Sequence, residues 1–194
     1  MHRNGLDLTV LERSTAQLAA GPAAGATRLR VTNRWAGAFA ATARADELRV
    51  GPLALPRDHE VGVDLPTPFG GHDRAPAPGE LLLSALTGCV LHQFVQHAAV
   101  GGLDLDGLTI SAEGHLDLRG SLGVPGVEPG MTRIALHAEV ATEVDDGALR
   151  ELLASAVATS PVAGSLRGSV HLDAEAEAIA PVRPTPTTAT TATT

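Results

Sequence analysis

From Leu81 to Val100 the chain runs for twenty residues without a formal charge, and its only cysteine, Cys89, lies near the middle. As a helix, a stretch of about 20 residues is about 30 Å long, enough to cross a bilayer. However, Ser84, Thr87, His92, Gln93, Gln96 and His97 interrupt the apolar run, and no basic flank sets an orientation. The stretch therefore reads as a central helix buried in protein, and the rest of the chain must supply its apolar cover. One chain's sheet does not suffice for a helix of that length, so a homodimer is expected.

The flanking patterns say what that cover is. Residues 6–20 place Leu8, Leu11, Thr15 and Leu18 at helical spacing, and "GPAAGA" at 21–26 breaks the helix. From Leu29 to Ala43 the period changes to two, with Val31, Trp35, Phe39 and Ala41 on one face of a strand. "ELRVGPLAL" and "HEVGVDL" continue as two further short strands, and the Pro- and Gly-rich 66–80 reads as a loop.

Beyond the central helix, Leu108, Ile110, Ala112, Gly114, Leu116 and Leu118 share one strand face. Ile134, Leu136, Ala138 and Val140 share another, across a loop at 119–130. "DDGALRELLASAVA" (145–158) is a helix with an acidic start, turning Leu149, Leu152, Leu153, Ala156 and Val157 inward. Pro161 stops or restarts it, and "SVHLDAEAEA" (169–178) reads as a last strand. With hairpin-style connections and no repeating βαβ unit, the fold class is α+β. Three parts result: an N-terminal helical extension at 1–28, one domain at 29–180, and a Pro/Thr/Ala tail at 181–194 expected to be disordered.

Composition excludes several function classes. The formal net charge of −8 opposes nucleic-acid binding, because phosphate neutralisation needs a basic face. Tyrosine is absent and aromatics are 2% of residues, so base-stacking platforms are not expected. One cysteine rules out an internal disulfide framework and any multi-cysteine metal site, and neither His72 nor His115 belongs to a ligand-spaced cluster. No metal or cofactor is therefore expected. The first residues carry no continuous apolar segment of the secretory kind, which makes a cytoplasmic location the expectation.

Several motifs then fall in order: Asp64-Leu-Pro, Gly70-Gly71-His72-Asp73, Pro78 through Cys89, "DLRGSLGV" and "SPVAGSLRGSV". Together they resemble the OsmC-like family, which includes the Ohr organic-hydroperoxide reductases. The short N-terminal helix followed by "NRWAGAF" is similar to one OsmC-like subgroup. The resemblance implies an antiparallel sheet wrapped on a long central helix in an intertwined homodimer, with active sites at the dimer interface. It also implies peroxiredoxin-type chemistry in oxidative stress defence: a helix-borne thiolate attacks a hydroperoxide and a second cysteine resolves the sulfenic acid.

Cys89 matches the reactive cysteine, but the resolving position is Ser160. The family's glutamate ten positions before the reactive cysteine is here Gly79, with Glu80 one residue late. Any peroxidase activity implied is therefore one-cysteine and weak, with an external thiol as reductant. The alternative is a non-catalytic protein of this fold that binds an apolar small molecule at the dimer interface.

A thiolate requires positive charge or hydrogen bonding to lower a pKa near 8.5, and the helix dipole fades within the first turn. The resemblance places the activating arginine in the N-terminal region, where Arg34 beside Trp35 is the candidate. Glu80 lies nine residues before Cys89, about 13 Å along the axis and on the opposite side of a regular helix. It is a candidate catalytic partner through a bridging arginine, or a carboxylate at the helix N-terminus. His92, Gln93 and Gln96, at +3, +4 and +7, extend the face of Cys89 into a polar stripe. His92 is a candidate base or positive neighbour; Gln93 and Ser160 are candidates for substrate contact. A Cys–His hydrolase lacks a visible orienting Asp or oxyanion site. Gly88 costs roughly 1 kcal/mol against alanine inside a helix, which marks a position where another element packs closely.

Overall fold

The structure, a computed structural model, describes residues 1–167. The strand read at 169–178 and the tail at 181–194 lie outside the described residues. The chain opens with a small hairpin, β1 (His2–Arg3) and β2 (Leu6–Asp7), turning at Asn4 and Gly5. Helix α1 (Leu8–Leu18) follows, capped by the Asp7 carboxylate, which accepts from the Thr9 N–H at 2.9 Å. The helix read at 6–20 thus starts two residues later, because Leu6 and Asp7 pair with Arg3 and His2 instead. A single turn, α2 (Pro22–Gly25), ends the extension.

Strands β3 (Thr27–Gly37), β4 (Ala40–Val50), β5 (Leu53–Leu55) and β6 (His59–Val63) form one antiparallel sheet, with β3, β5 and β6 all pairing to β4. The strand read from Leu29 to Ala43 is therefore two strands. Gly37 (φ 105°) and Ala38 (φ 46°) reverse the chain, and the Trp35 indole N–H donates to the Ala38 carbonyl at 2.9 Å. The apolar alternation ran through this turn, so periodicity alone did not expose it, and Phe39 belongs to the turn and not to the strand face.

A β-bulge near Asp46 keeps the two faces of this sheet distinct. Leu29, Val31, Asn33 and Trp35 face one way beside Ala41, Ala43, Ala45, Val61 and Val63; Arg28, Arg30, Thr32 and Arg34 face the other beside Thr42, Arg44 and Glu60.

After a 3₁₀ turn at Thr67–Phe69, the central helix α3 runs from Pro78 to Val100, three residues earlier than the uncharged run begins. Pro78 fits the first helical position, where no N–H is needed. No helix among the described residues is long and apolar enough to cross a membrane. Strands β7 (Gly107–Leu116) and β8 (Met131–Ala141) pair antiparallel, with Leu108 opposite Val140 and Ala112 opposite Leu136. A register shift after His115 and a short helical turn, α4 (Leu118–Ser121), take Leu116 and Leu118 off the apolar face, and both are exposed.

Helix α5 (Asp146–Thr159) is capped by Asp145, which accepts from Gly147 and Ala148 N–H. Pro161 restarts the chain as α6 (Pro161–Arg167).

The core lies between α3, α5, α6 and the inner face of β7–β8. Leu86, Val90 and Phe94, spaced at i+4 on α3, are buried with Ala156 and Ala163, and Ile110, Ile134, Leu136, Leu152 and Leu153 pack around them. Phe94 is fully buried. Phe94→Ala is therefore expected to destabilise the protein by about 3–5 kcal/mol, measured as a reduced midpoint in urea unfolding.

Outside this core, large apolar side chains are uncovered. Leu29 (73%), Val31 (61%) and Trp35 (75%) are open on the β3–β6 sheet, which is not packed against α3 of its own chain. A contiguous apolar face of this kind marks an interaction surface.

Candidate functional site

The approach to α3 is built around Asp64. Its side chain is buried, yet Oδ1 accepts from the Leu65 N–H at 2.8 Å, and Oδ2 accepts from His72 and Arg74 N–H at 3.1 and 3.3 Å. The Leu65 N–H is the main cause holding the carboxyl below its ordinary range, assisted by the Arg74 and His72 N–H groups and opposed by burial.

The glycine pair has a spatial cause. Gly70 adopts φ 85°, and a Cβ at Gly71 would fall 1.8 Å from the Leu65 carbonyl oxygen. Asp73 takes φ 54°, a region Asp tolerates, and its N–H donates to that same carbonyl at 3.1 Å. Asp64-Leu-Pro and Gly-Gly-His-Asp are thus one folded loop delivering the chain to Ala77 and Pro78.

A carboxyl depressed by folding stabilises above its unfolded pKa, and that contribution is lost as pH falls through the folded value. Thermal stability is therefore expected to drop as the pH falls below the ordinary carboxylate range in the wild type. The Asp64→Asn protein, less stable at neutral pH, is expected to show a shallower drop in melting curves across that range.

Helix α3 presents two sides. Leu86, Val90 and Phe94 line the buried one; Ser84, Ala85 and His92 are exposed on the other, and among the described residues nothing lies within 4 Å of a Cβ built on Gly88. The close packing that Gly88 permits is thus not supplied by the described residues of its own chain. Cys89 stands at the border of these sides, a half-buried free thiol.

Its sequence neighbours are placed as follows. His92 is exposed one turn on, and Gln93 is half-buried at i+4. The Thr159 hydroxyl lies 3.2 Å from Gln93 Oε1, 3.4 Å from His97 Nε2 and 2.9 Å from the Ser155 carbonyl. This link between α3 and the end of α5 was not read from the sequence. Its signals were the four-residue spacing of Gln93 and His97 and the threonine preceding Ser160.

Ser160 itself is buried at 2% exposure. Its Oγ accepts from the Ala163 N–H at 3.3 Å, which makes it the cap between α5 and α6. Glu80 reaches back to the Ala77 N–H at 2.7 Å and closes the first turn of α3.

Arg34 sits on the polar face of β3, lining a surface cavity of about 310 Å³ with Thr32, Thr42, Arg44, Asp46 and Glu60. Its sheet face is opposite the one bearing Trp35. The single chain therefore groups Cys89 with His92 and Gln93 on α3 and leaves Arg34 on a separate sheet. No cluster of metal-ligating side chains occurs among the described residues.

Solved structures share this architecture. An OsmC-like protein from Mycoplasma pneumoniae superposes with a TM-score of 0.57 at 18% identity, covering 73% of this chain and 88% of that one. An OsmC-like protein of unknown function from Vibrio cholerae gives 0.57 at 15% identity, covering 72% and 94%. An organic hydroperoxide resistance protein from Elizabethkingia anophelis gives 0.54 at 18% identity, covering 73% and 89%. At these identities the likeness is one of fold. No curated protein matches the chain. The OsmC-like protein family model matches residues 71–175, from Gly71 through the central helix and beyond α6. That is more than half of the sequence, and the chain belongs to the OsmC-like family.

Proposed function

We propose that this protein is a one-cysteine, thiol-dependent reductase of organic hydroperoxides that works as a homodimer. The observation carrying this reading is the position of its single thiol: Cys89, half-buried on the central helix, between a packed apolar side and an uncovered one. The Cys89 thiolate attacks the outer peroxide oxygen of ROOH. The O–O bond breaks, the sulfur gains the oxygen as a sulfenic acid, and RO⁻ takes a proton to leave as alcohol. An external thiol then displaces water from the sulfenic acid to give a mixed disulfide. A second thiol releases Cys89–SH and an external disulfide.

An external reductant is needed because Ser160, at the position of the family's resolving cysteine, is a buried helix cap with no redox chemistry. Within the reading, His92 and Gln93, one turn on from Cys89 on the same helix, are the candidate polar groups for the thiolate and the peroxide. Arg34 and Glu80 are the candidates for charge supplied at the dimer interface.

The dimer is supported by what the single chain leaves open: the apolar face of β3–β6, and the Ser84, Ala85 and Gly88 side of α3. Burying both against a second copy would complete a pocket around Cys89 with apolar walls, suited to an organic hydroperoxide more than to hydrogen peroxide. The same pocket without turnover is the second reading, an apolar-ligand binder; the missing internal resolving thiol is the feature that favours it.

Reaction with cumene hydroperoxide separates the two. Mass spectrometry after trapping with dimedone is expected to find the adduct on Cys89 within seconds and none in Cys89→Ser. Oxidation no faster than that of free cysteine would sink the reductase reading, and an apolar molecule co-purifying with the protein would then support the binder.

A further inference from the structure

We propose that residues 1–26 are a strap that closes each chain around its partner, so that release of one subunit requires the strap to open. The inference rests on the homodimer reading above. Asn4 and Gly5 both have positive φ, 50° and 79°, the backbone of a tight two-residue hairpin turn. The turn is tied down through the half-buried side chain of Asn4. Asn4 Nδ2 donates to the Leu103 carbonyl at 2.9 Å, and Asn4 Oδ1 accepts from the Leu105 N–H at 3.0 Å, so one side chain occupies both backbone groups of the loop that follows α3. Arg3 Nε adds an ion pair to Asp104 at 3.2 Å. The loop is itself tied to the helix, because the Leu103 N–H donates to the Ala98 carbonyl at 2.8 Å.

The other end of the segment is fixed to the sheet. The Gly51 N–H donates to the Ala26 carbonyl at 2.8 Å, and a Cβ at Gly51 would meet the Ala24 carbonyl at 2.9 Å, so α2 lies directly on the β4–β5 turn. Between these anchors runs the 11-residue helix α1, about 16 Å long.

Two long elements are therefore joined twice. The 11-residue strand β3 is about 36 Å long and the 23-residue helix α3 is about 34 Å. At one end, loop 64–77 leads from β6, which pairs beside the Ala41 end of β4, into the start of α3. At the far end, residues 1–26 run from the loop after α3 back to the β4–β5 turn. Joined at both ends and not packed on each other, sheet and helix frame an opening that carries the uncovered apolar side chains.

A second copy of this chain is the occupant that fits. Each copy brings one unsatisfied apolar sheet and one helix with an uncovered small-residue side, which are complementary to those of its twin, and a symmetric pair satisfies both at once. The anchor at residues 3–5 is polar and superficial, which suits a latch that opens without unfolding the core.

Subunit exchange reads the strap directly. Unlabelled and ¹⁵N-labelled dimers are mixed and the mixed species is followed by native mass spectrometry. Asn4→Ala and Asp104→Arg are each expected to accelerate exchange, the former by roughly tenfold or more. Combining Arg3→Asp with Asp104→Arg is expected to restore slow exchange, a rescue that a general loss of stability does not give. Exchange within twofold of wild type in both single variants, with all proteins dimeric, would overturn the strap and leave the dimer intact. A monomeric wild-type protein would overturn the dimer reading and the strap with it.

Discussion

Replacing Cys89 by serine is expected to reduce hydroperoxide consumption, measured with an external dithiol as reductant, to the rate of buffer alone. The sulfur is the only atom in the chain able to accept the peroxide oxygen and be returned by thiols, because there is no second cysteine to substitute for it. Serine keeps the volume of the side chain nearly unchanged. Cys89 is half-buried beside, and not within, the Leu86–Val90–Phe94 core, so the melting temperature should stay within a few degrees of wild type. Loss of turnover with retained stability separates chemistry from folding. Residual turnover in the serine protein would place the reaction elsewhere. Gln93→Leu should lower the rate only in part, since it removes a polar neighbour and not the nucleophile.

Gly71→Ala is expected to have the largest effect on the fold. A Cβ there would lie 1.8 Å from the Leu65 carbonyl oxygen, and the obstacle is backbone that cannot rotate away. That carbonyl also accepts from the Asp73 N–H, and the residues on either side of Asp73 hold Asp64 through their own N–H groups. Moving it therefore dismantles the loop that starts α3 and leaves a buried carboxylate without its partners. The cost is expected to exceed roughly 4 kcal/mol, seen as aggregation on expression or a collapsed urea midpoint. Gly88→Ala is the informative contrast. None of the described residues obstructs a methyl there, so the described part of the chain is expected to tolerate it, and a loss of self-association in that variant would support the proposed dimer packing on this side of α3.

The sequence exposed most strongly what has a period. The i+4 spacing of Leu86, Val90 and Phe94, and the alternation of Leu108, Ile110, Ile134 and Leu136, are set by burial in one place, and the structure buries them there. The β3–β4 reversal escaped because Trp35, Phe39 and Ala41 kept an even spacing through a turn made at Gly37 and Ala38. The N-terminal hairpin escaped for the opposite reason. It is too short to show a period, and its logic lies in Asn4 meeting a loop about a hundred residues away.

At the site, Cys89 and its +3 and +4 neighbours follow from helical geometry alone. The Thr159 link to Gln93 and His97 is a tertiary contact between helices: the four-residue spacing marks the face of α3, but nothing local to that helix names Thr159 as the partner. Ser160 and Glu80 have visible structural work as caps, which the sequence allowed for Glu80 alone.

The central claim, that Cys89 reduces organic hydroperoxides in an apolar pocket, is tested most directly by the single-turnover rate of Cys89 oxidation. Reduced protein is mixed in stopped flow with cumene hydroperoxide or with hydrogen peroxide, and free cysteine is run in parallel. Oxidation by cumene hydroperoxide is expected to be at least about a hundredfold faster than that of free cysteine, with hydrogen peroxide well behind. Equal rates for protein and free cysteine, or a preference for hydrogen peroxide, would contradict it.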